Sequence, residues 1–544
     1  MKIRIFVVVA ISCLMSSPLI IAEDTATEEE IARRQTAVAL NYCRAALHRI
    51  RRNPHKRIFV EEQQRILNNL NLSRIADAEV IALYRAVLDE ISQVEVSERE
   101  RKVIGDQFKE GTRRHLSTSF FVIGAQVATG QIGNVIQSGA NSWWDYRNQE
   151  LRRDSDVWKV NRTEFNNLMS RSSTFLDSFW KLSRKNNIPD SWLIRDQDLD
   201  QLAVVLKEGD GQRRLRMLGR MRRFMTCYPP YWYYTARTQQ ELGMMKEAME
   251  TYRRLTEIGS GHFRQDDMLA GSLANMALIQ EVQGDPEASQ TAMRSVEHSN
   301  RNWEANLVCA WVLGRHARHR DAEELILCNL DDQLETSQST IALASLYYHS
   351  NDRTRLAGLL QDNRVATAIP IPGLLLCARL LGSDDLPQTA AHRLASSMRA
   401  EYRPGLRSDV VMLRAASSWK LRDARPKLAL AGLETEHSKF SRADDDVVAT
   451  FRVDSSDVEQ PSRQVDLTLR YPGIPPIRVT LTPRAVESTT RGSRISGFHL
   501  DHRARVALGV DEIEVDGVRL SVYTGPEDGG VRGAAIEPEL PVRS

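Results

Sequence analysis

Apolar residues recur three and four positions apart through much of the chain, the spacing of helices with one buried face. Over 26–112 they include Ile66, Leu67, Leu70 and Leu72, then Val80, Leu83, Tyr84, Val87, Leu88 and Ile91. Only Pro54 interrupts this stretch, and two or three amphipathic helices are expected. Residues 150–226 carry the same pattern. After Glu434 the period shortens to two, and short β-branched runs appear at 447–453, 465–471, 477–481, 495–500 and 506–510. Two more, 513–515 and 518–523, flank Asp516-Gly517, a two-residue hairpin signal. Six or seven short strands predict a small sandwich or barrel-like domain.

Between Pro229 and Pro404 the pattern repeats in windows of about 34 residues, the length of a helix–turn–helix unit. Ala236, Ala277, Ala310, Ala344 and Ala378 share the eighth position, at spacings of 41, 33, 34 and 34. The twentieth position reads Ala248, Ser289, Ala322, Leu356 and Ala390. The twenty-fourth reads Tyr252, Met293, Ile326, Leu360 and Leu394. Recurring small residues let two helices cross closely. Gly243 and Gly284 fall where the turn needs positive φ, and Ala317, Asn351 and Asp385 replace them in later windows. The spacing of 41 implies about seven extra residues, placed at 258–264, between the first two units.

Trp232, Ala236, Gly243, Ala248 and Tyr252 stand as the signature residues of the tetratricopeptide repeat do, so this stretch resembles that family. The resemblance covers about 175 residues and is strongest in the first window. It implies a mainly α protein, built as a helical-hairpin solenoid, since one hairpin cannot bury its apolar face alone. It also implies an inner groove lined by first helices. Carried over residue by residue, that groove includes Tyr233, Arg237, Gln240, Trp311, Arg315, Tyr348, His349 and Arg379. Arginines beside aromatics suit a protein or peptide partner with acidic groups. The alternative is that these side chains pack against other parts of the same chain.

The first 22 residues follow the pattern of an export signal, with Lys2 and Arg4 ahead of an apolar run and Ala22 before an acidic stretch. An uncleaved anchor and a lipid at Cys13 are alternatives. Residues 116–144 contain no Asp, Glu, Lys or Arg and many small residues. They read as a tight helical hairpin, or as a membrane-associated segment that would make the chain an assembly or export component. Without residues 1–22 the basic and acidic side chains balance, which gives no steering toward nucleic acid. Cys43, Cys227, Cys309, Cys328 and Cys377 are too sparse for a disulfide framework, although Cys309 and Cys328 could bridge locally.

The expected organisation follows. A signal over 1–22 precedes a helical region over 23–226 and repeats over 229–404. Capping helices or a linker over 405–440 lead to a β-rich domain over 445–524 and a loose tail over 525–544. Arg213, Arg214, Arg216, Arg220, Arg222 and Arg223 form a run that reads as an anion-binding stripe or as a solvated face with acidic neighbours. His316 with His319, and His499 with His502, have ligand-like spacing but need further ligands. The Asp444–Asp446 run reads as a solvated linker. Nucleotide, zinc-helix and nucleophile-elbow motifs are missing, and no cofactor is expected. The sequence therefore reads as an exported scaffold, periplasmic or secreted, with an enzyme whose groups meet only in the fold as the remaining alternative.

Overall fold

The computed structural model describes residues 28–52, 176–403, 408–430, 433–443, 446–454, 464–471, 474–483 and 506–522, together with 58, 62, 78–83 and 85. The signal-like N-terminus, Cys13, the 116–144 segment, His499, His502 and the 525–544 tail lie outside the described residues. The protein is mainly helical and carries a curled antiparallel sheet at its C-terminal end.

Helix α1 (Glu28–Arg52) begins with three glutamates and ends with Arg49, Arg51 and Arg52, charges that complement its dipole. Asn41 anchors it. The Asn41 amide donates to the carbonyls of Trp192 (2.7 Å) and Cys227 (2.9 Å) and accepts from the Ile194 amide (3.0 Å). Helices α2 (Asp196–Val205) and α3 (Gly211–Met225) follow. Asp210 caps α3 through the amides of Gln212 and Arg213.

Five helix pairs come next. They are α4 (Pro229–Glu241) with α5 (Met245–Gly259), α6 (Asp267–Gln283) with α7 (Ala288–His298), and α8 (Trp303–Arg315) with α9 (His319–Asp331). Then come α10 (Thr336–His349) with α11 (Arg353–Leu360), the short α12 (Asn363–Ala368), and α13 (Ile371–Asp385) with α14 (Gln388–Ser396). Each helix packs on its pair mate, and first helices of successive pairs also touch: α4 with α6, α6 with α8, α8 with α10, α10 with α13.

The five alanines of the eighth position are all buried, none more than 2% exposed. The twentieth and twenty-fourth positions are buried too, except in the second pair. There Ala288 and Ala292 take the inner places, one residue ahead of Ser289 and Met293. The intervening turns have positive φ at Gly243 (77°), Gly284 (73°), Ala317 (57°) and Asn351 (57°). In the last pair the left-handed residue is Gly382, three residues before Asp385, and it interrupts α13. Buried hydrogen bonds join the helices: Tyr252 donates to Gln240 (2.8 Å) and accepts from Asn275 (3.2 Å), and Asn306 donates to Asn329 (2.8 Å). The loop after α5 lays Phe263 against Tyr42 of α1, ring centroids 4.9 Å apart.

Strands begin earlier than expected. β1 (Met398–Arg403) takes the end of the stretch assigned above to repeats, and β2 (Ser408–Ala416), β3 (Lys427–Leu430) and β4 (Leu433–Ala443) take the stretch assigned to capping helices or a linker at 405–440. In β2 the buried side chains Val411, Leu413 and Ala415 alternate with outer positions that include the apolar Val410 and Met412, which blurs the two-residue period. β5 (Asp446–Asp454), β6 (Val465–Leu469), β7 (Ile477–Pro483), β8 (Val506–Val515) and β9 (Val518–Ser521) complete the sheet. β8 is continuous where two runs were expected. The order is β1-β2-β5-β4-β3-β6-β7-β8-β9, and β1 also pairs with β8, so the sheet curls back on itself. Asp516 and Gly517 both take positive φ, as a two-residue hairpin between twisted strands requires.

One apolar core runs from α6 through the later helices into the sheet, where it includes Trp419, Phe451 and Ile513. Trp419 donates to Ser397 Oγ at 2.8 Å, and its carbonyl accepts from the Tyr471 hydroxyl. α13 packs on β9 and β8, and α14 on β8 and β1.

Candidate partner-binding cleft

A cleft of about 340 Å³ opens between α8 and α10, with Ile326 of α9 also in its lining. Helical periodicity builds both walls. Leu307, Ala310, Trp311, Gly314 and Arg315 share one face of α8, and Ala342, Ser345, Leu346 and His349 share one face of α10. Gly314 sets how closely the walls approach, because a Cβ there would lie 3.2 Å from Leu346 Cδ1. The lining is apolar below and polar at Arg315, Ser345 and His349.

The guanidinium of Arg315 lies 5.4 Å from the centre of the Trp311 ring. It also pairs with Glu281 of α6, which accepts from His316 at 2.8 Å as well. Arg315 stays about half exposed while Glu281 is nearly covered, so the cation presents itself to solvent. The imidazole of His349 is held below the ordinary histidine range, first by the surrounding protein and then by the Arg315 charge. It remains neutral near pH 7 and can donate or accept a hydrogen bond. Tyr348 stands beside it, ring centroids 5.2 Å apart, and burial pushes its hydroxyl pKa up.

The structure divides the eight residues assigned to the groove. Trp311, Arg315 and His349 line the cleft, with Tyr348 next to it. Tyr233 and Gln240 are fully buried, so a partner cannot reach them. Gln240 instead accepts from Tyr252. Arg237 is mostly covered and pairs with Glu241 at 2.9 Å. Arg379 crosses to Asp516 at the β8–β9 turn, so the sheet occupies its end of the surface. The sequence reading missed Ala342, Ser345 and Leu346. Their four-residue step to His349 was the available signal.

His316 caps the end of α8 and His319 opens α9, so the two flank a corner between helices. Among the described residues, no three His, Cys, Asp or Glu side chains are grouped to hold a metal. All five described cysteines are free, Cys309 and Cys328 included. Among the described residues, no helix is long and apolar enough to cross a membrane. No protein-family model and no curated protein matches the chain.

Proposed function

We propose that the chain is an exported interaction scaffold. In this reading the five helix pairs form a tetratricopeptide-like array that holds a protein or peptide partner. The observation that carries the reading is the open cleft between α8 and α10, lined by Trp311, Arg315 and His349. Its volume accommodates one large apolar side chain with part of its flanking backbone. Trp311 supplies a flat apolar wall, and desolvated aromatic and arginine contacts of this kind dominate binding energies. Arg315 suits an acidic group beside the inserted side chain, and Ser345 and His349 offer hydrogen bonds to peptide backbone. Export rests on the first 22 residues. The curled sheet is read as the array's C-terminal cap.

The test is site-specific photo-crosslinking in the producing cell. A photoreactive residue at Ser345 is expected to trap a discrete partner, and the adduct is expected to vanish in a Trp311→Ala background. The same probe at the highly exposed Arg320 is expected to trap none. Equal adducts from both positions, or an adduct indifferent to Trp311→Ala, would remove the cleft from the function.

A further inference from the structure

The six arginines of α3 are not balanced as an ordinary solvated face would be. The helix contains no Asp or Glu. Arg213 pairs with Glu208, and Arg214 with Glu241. Among the described residues, Arg216, Arg220, Arg222 and Arg223 have no ion-pair partner. Of these, Arg222 has a distinct setting. Its guanidinium lies 5.6 Å from the centre of the Trp232 ring, and Arg254 of α5 lies 4.3 Å from the same centre. Arg34 of α1 is close enough for its charge to act on Arg254. Arg34 and Arg254 also both act on the Cys227 thiol. Helices α3 and α5 therefore bring two guanidinium groups onto one buried indole, and Arg34 of α1, stacked on Trp192, adds its charge from nearby.

The compensating charge is small. Arg34 pairs with Glu30 at 2.7 Å and stacks on Trp192. Glu257 attracts Arg254 but does not form an ion pair with it. Among the described residues neither Arg222 nor Arg254 has an ion-pair partner, although Arg254 is half-buried. A half-buried cation facing two like charges is costly unless something anionic meets it. The indole face contributes, but it carries no net charge to cancel theirs. Trp232 is itself fixed, since its Nε1 donates to the Thr226 carbonyl at 3.0 Å.

We propose that Arg222 and Arg254 form a binding site for a phosphate-type oxyanion, seated beside Trp232. Guanidinium forks match phosphate oxygens, and the higher charge of phosphate answers two unpaired cations better than a monovalent carboxylate does. Arg34 keeps Glu30 as a partner, so Arg222 and Arg254 supply the main contacts. This site is separate from the cleft between α8 and α10, and its fate does not bear on that reading.

The test is titration calorimetry of the full chain at fixed ionic strength. Inorganic phosphate is expected to bind saturably, and acetate at the same ionic strength is not. Arg222→Gln and Arg254→Gln are each expected to weaken phosphate binding roughly tenfold or more, as loss of a charge-assisted bond implies. The exposed Arg222 controls for misfolding, and far-ultraviolet dichroism reports the fold of both variants. The double variant Arg216→Gln/Arg220→Gln removes twice the charge of either single variant, from the outer face of α3, and is expected to bind as the parent does. Phosphatidylcholine vesicles containing phosphatidylglycerol identify the source. Binding that depends on Arg222 and is displaced by phosphate assigns a lipid headgroup; phosphate binding without vesicle binding assigns a soluble phosphate. The proposal is overturned if phosphate fails to bind, if acetate matches it, or if the outer-face double variant loses as much as Arg222→Gln.

Discussion

Arg379 of α13 reaches Asp516 at the β8–β9 turn, with 2.5 Å between Nη2 and Oδ2. The pair joins the last helical hairpin to the sheet, next to a bond from the Ser383 hydroxyl to the Arg519 carbonyl at 2.9 Å. Both partners are one-third to one-half exposed, so solvent screening limits the attraction. A double-mutant cycle with Arg379→Gln and Asp516→Asn is expected to give a coupling of about 0.2–1 kcal/mol in urea unfolding, shrinking with added salt. Helix–sheet docking rests on the shared apolar core, so a coupling of several kcal/mol would contradict this division of labour.

His262 is buried beside Tyr42, and its pKa is lowered to about 4 by burial. Above about pH 6.5 the ring is neutral in both folded and unfolded chains, and the proton balance is even. Below that, the unfolded chain takes up a proton that the fold excludes until pH 4. Stability therefore falls as pH falls through this window, by roughly 2 kcal/mol at pH 5. Urea unfolding at pH 7 and pH 5 is expected to show this loss in the parent and a smaller one in His262→Phe. Equal losses in the two proteins would show that His262 does not carry the effect.

Ala317 closes the α8–α9 turn with φ of 57°, a region that costs a non-glycine residue about 1–2 kcal/mol. Ala317→Gly relieves that strain and gives back part of the gain as added freedom in the unfolded chain. A net stabilisation of about 0.5–1 kcal/mol is expected from denaturant midpoints. Asn351→Gly is expected to gain less, because asparagine tolerates this conformation better.

Trp419 is fully buried and bonded to Ser397 at the junction of α14 and the sheet. Trp419→Ala is expected to destabilise by about 3–5 kcal/mol. Because the core continues from sheet to helices, dichroism of the helices and hydrogen exchange of the sheet amides are expected to shift together. A shift confined to the sheet would mean that the two parts unfold separately.

The helix pairs were legible because one small residue per window is buried at nearly constant spacing. Where the second pair departs, Ala288 and Ala292 lie one step ahead of Ser289 and Met293, and neighbouring small residues concealed the difference. Ala317 and Asn351 hold the glycine conformation without glycine, which composition alone does not reveal. β1–β4 escaped notice because Val410 and Met412 make both faces of β2 look apolar. Trp311, Arg315 and His349, which line the cleft, follow from their place in the window. Tyr233 and Gln240 had equivalent places but face their own neighbours, a distinction set by tertiary packing.

The end of the array closes in a way that makes synthesis all-or-none. Leu374, Leu381 and Leu394 of the last pair share their core with Leu413 of β2 and with Trp419 in the turn that follows it, and among the described residues no later helix covers them. β1 needs β8, more than a hundred residues later in the chain, to complete its pairing. A fragment ending after α14 would present a bare apolar flank suited to sticking to copies of itself or to quality-control proteases. Only a chain extended through β8 conceals that flank, so a truncated chain is expected to aggregate and not to stand as a half-working product.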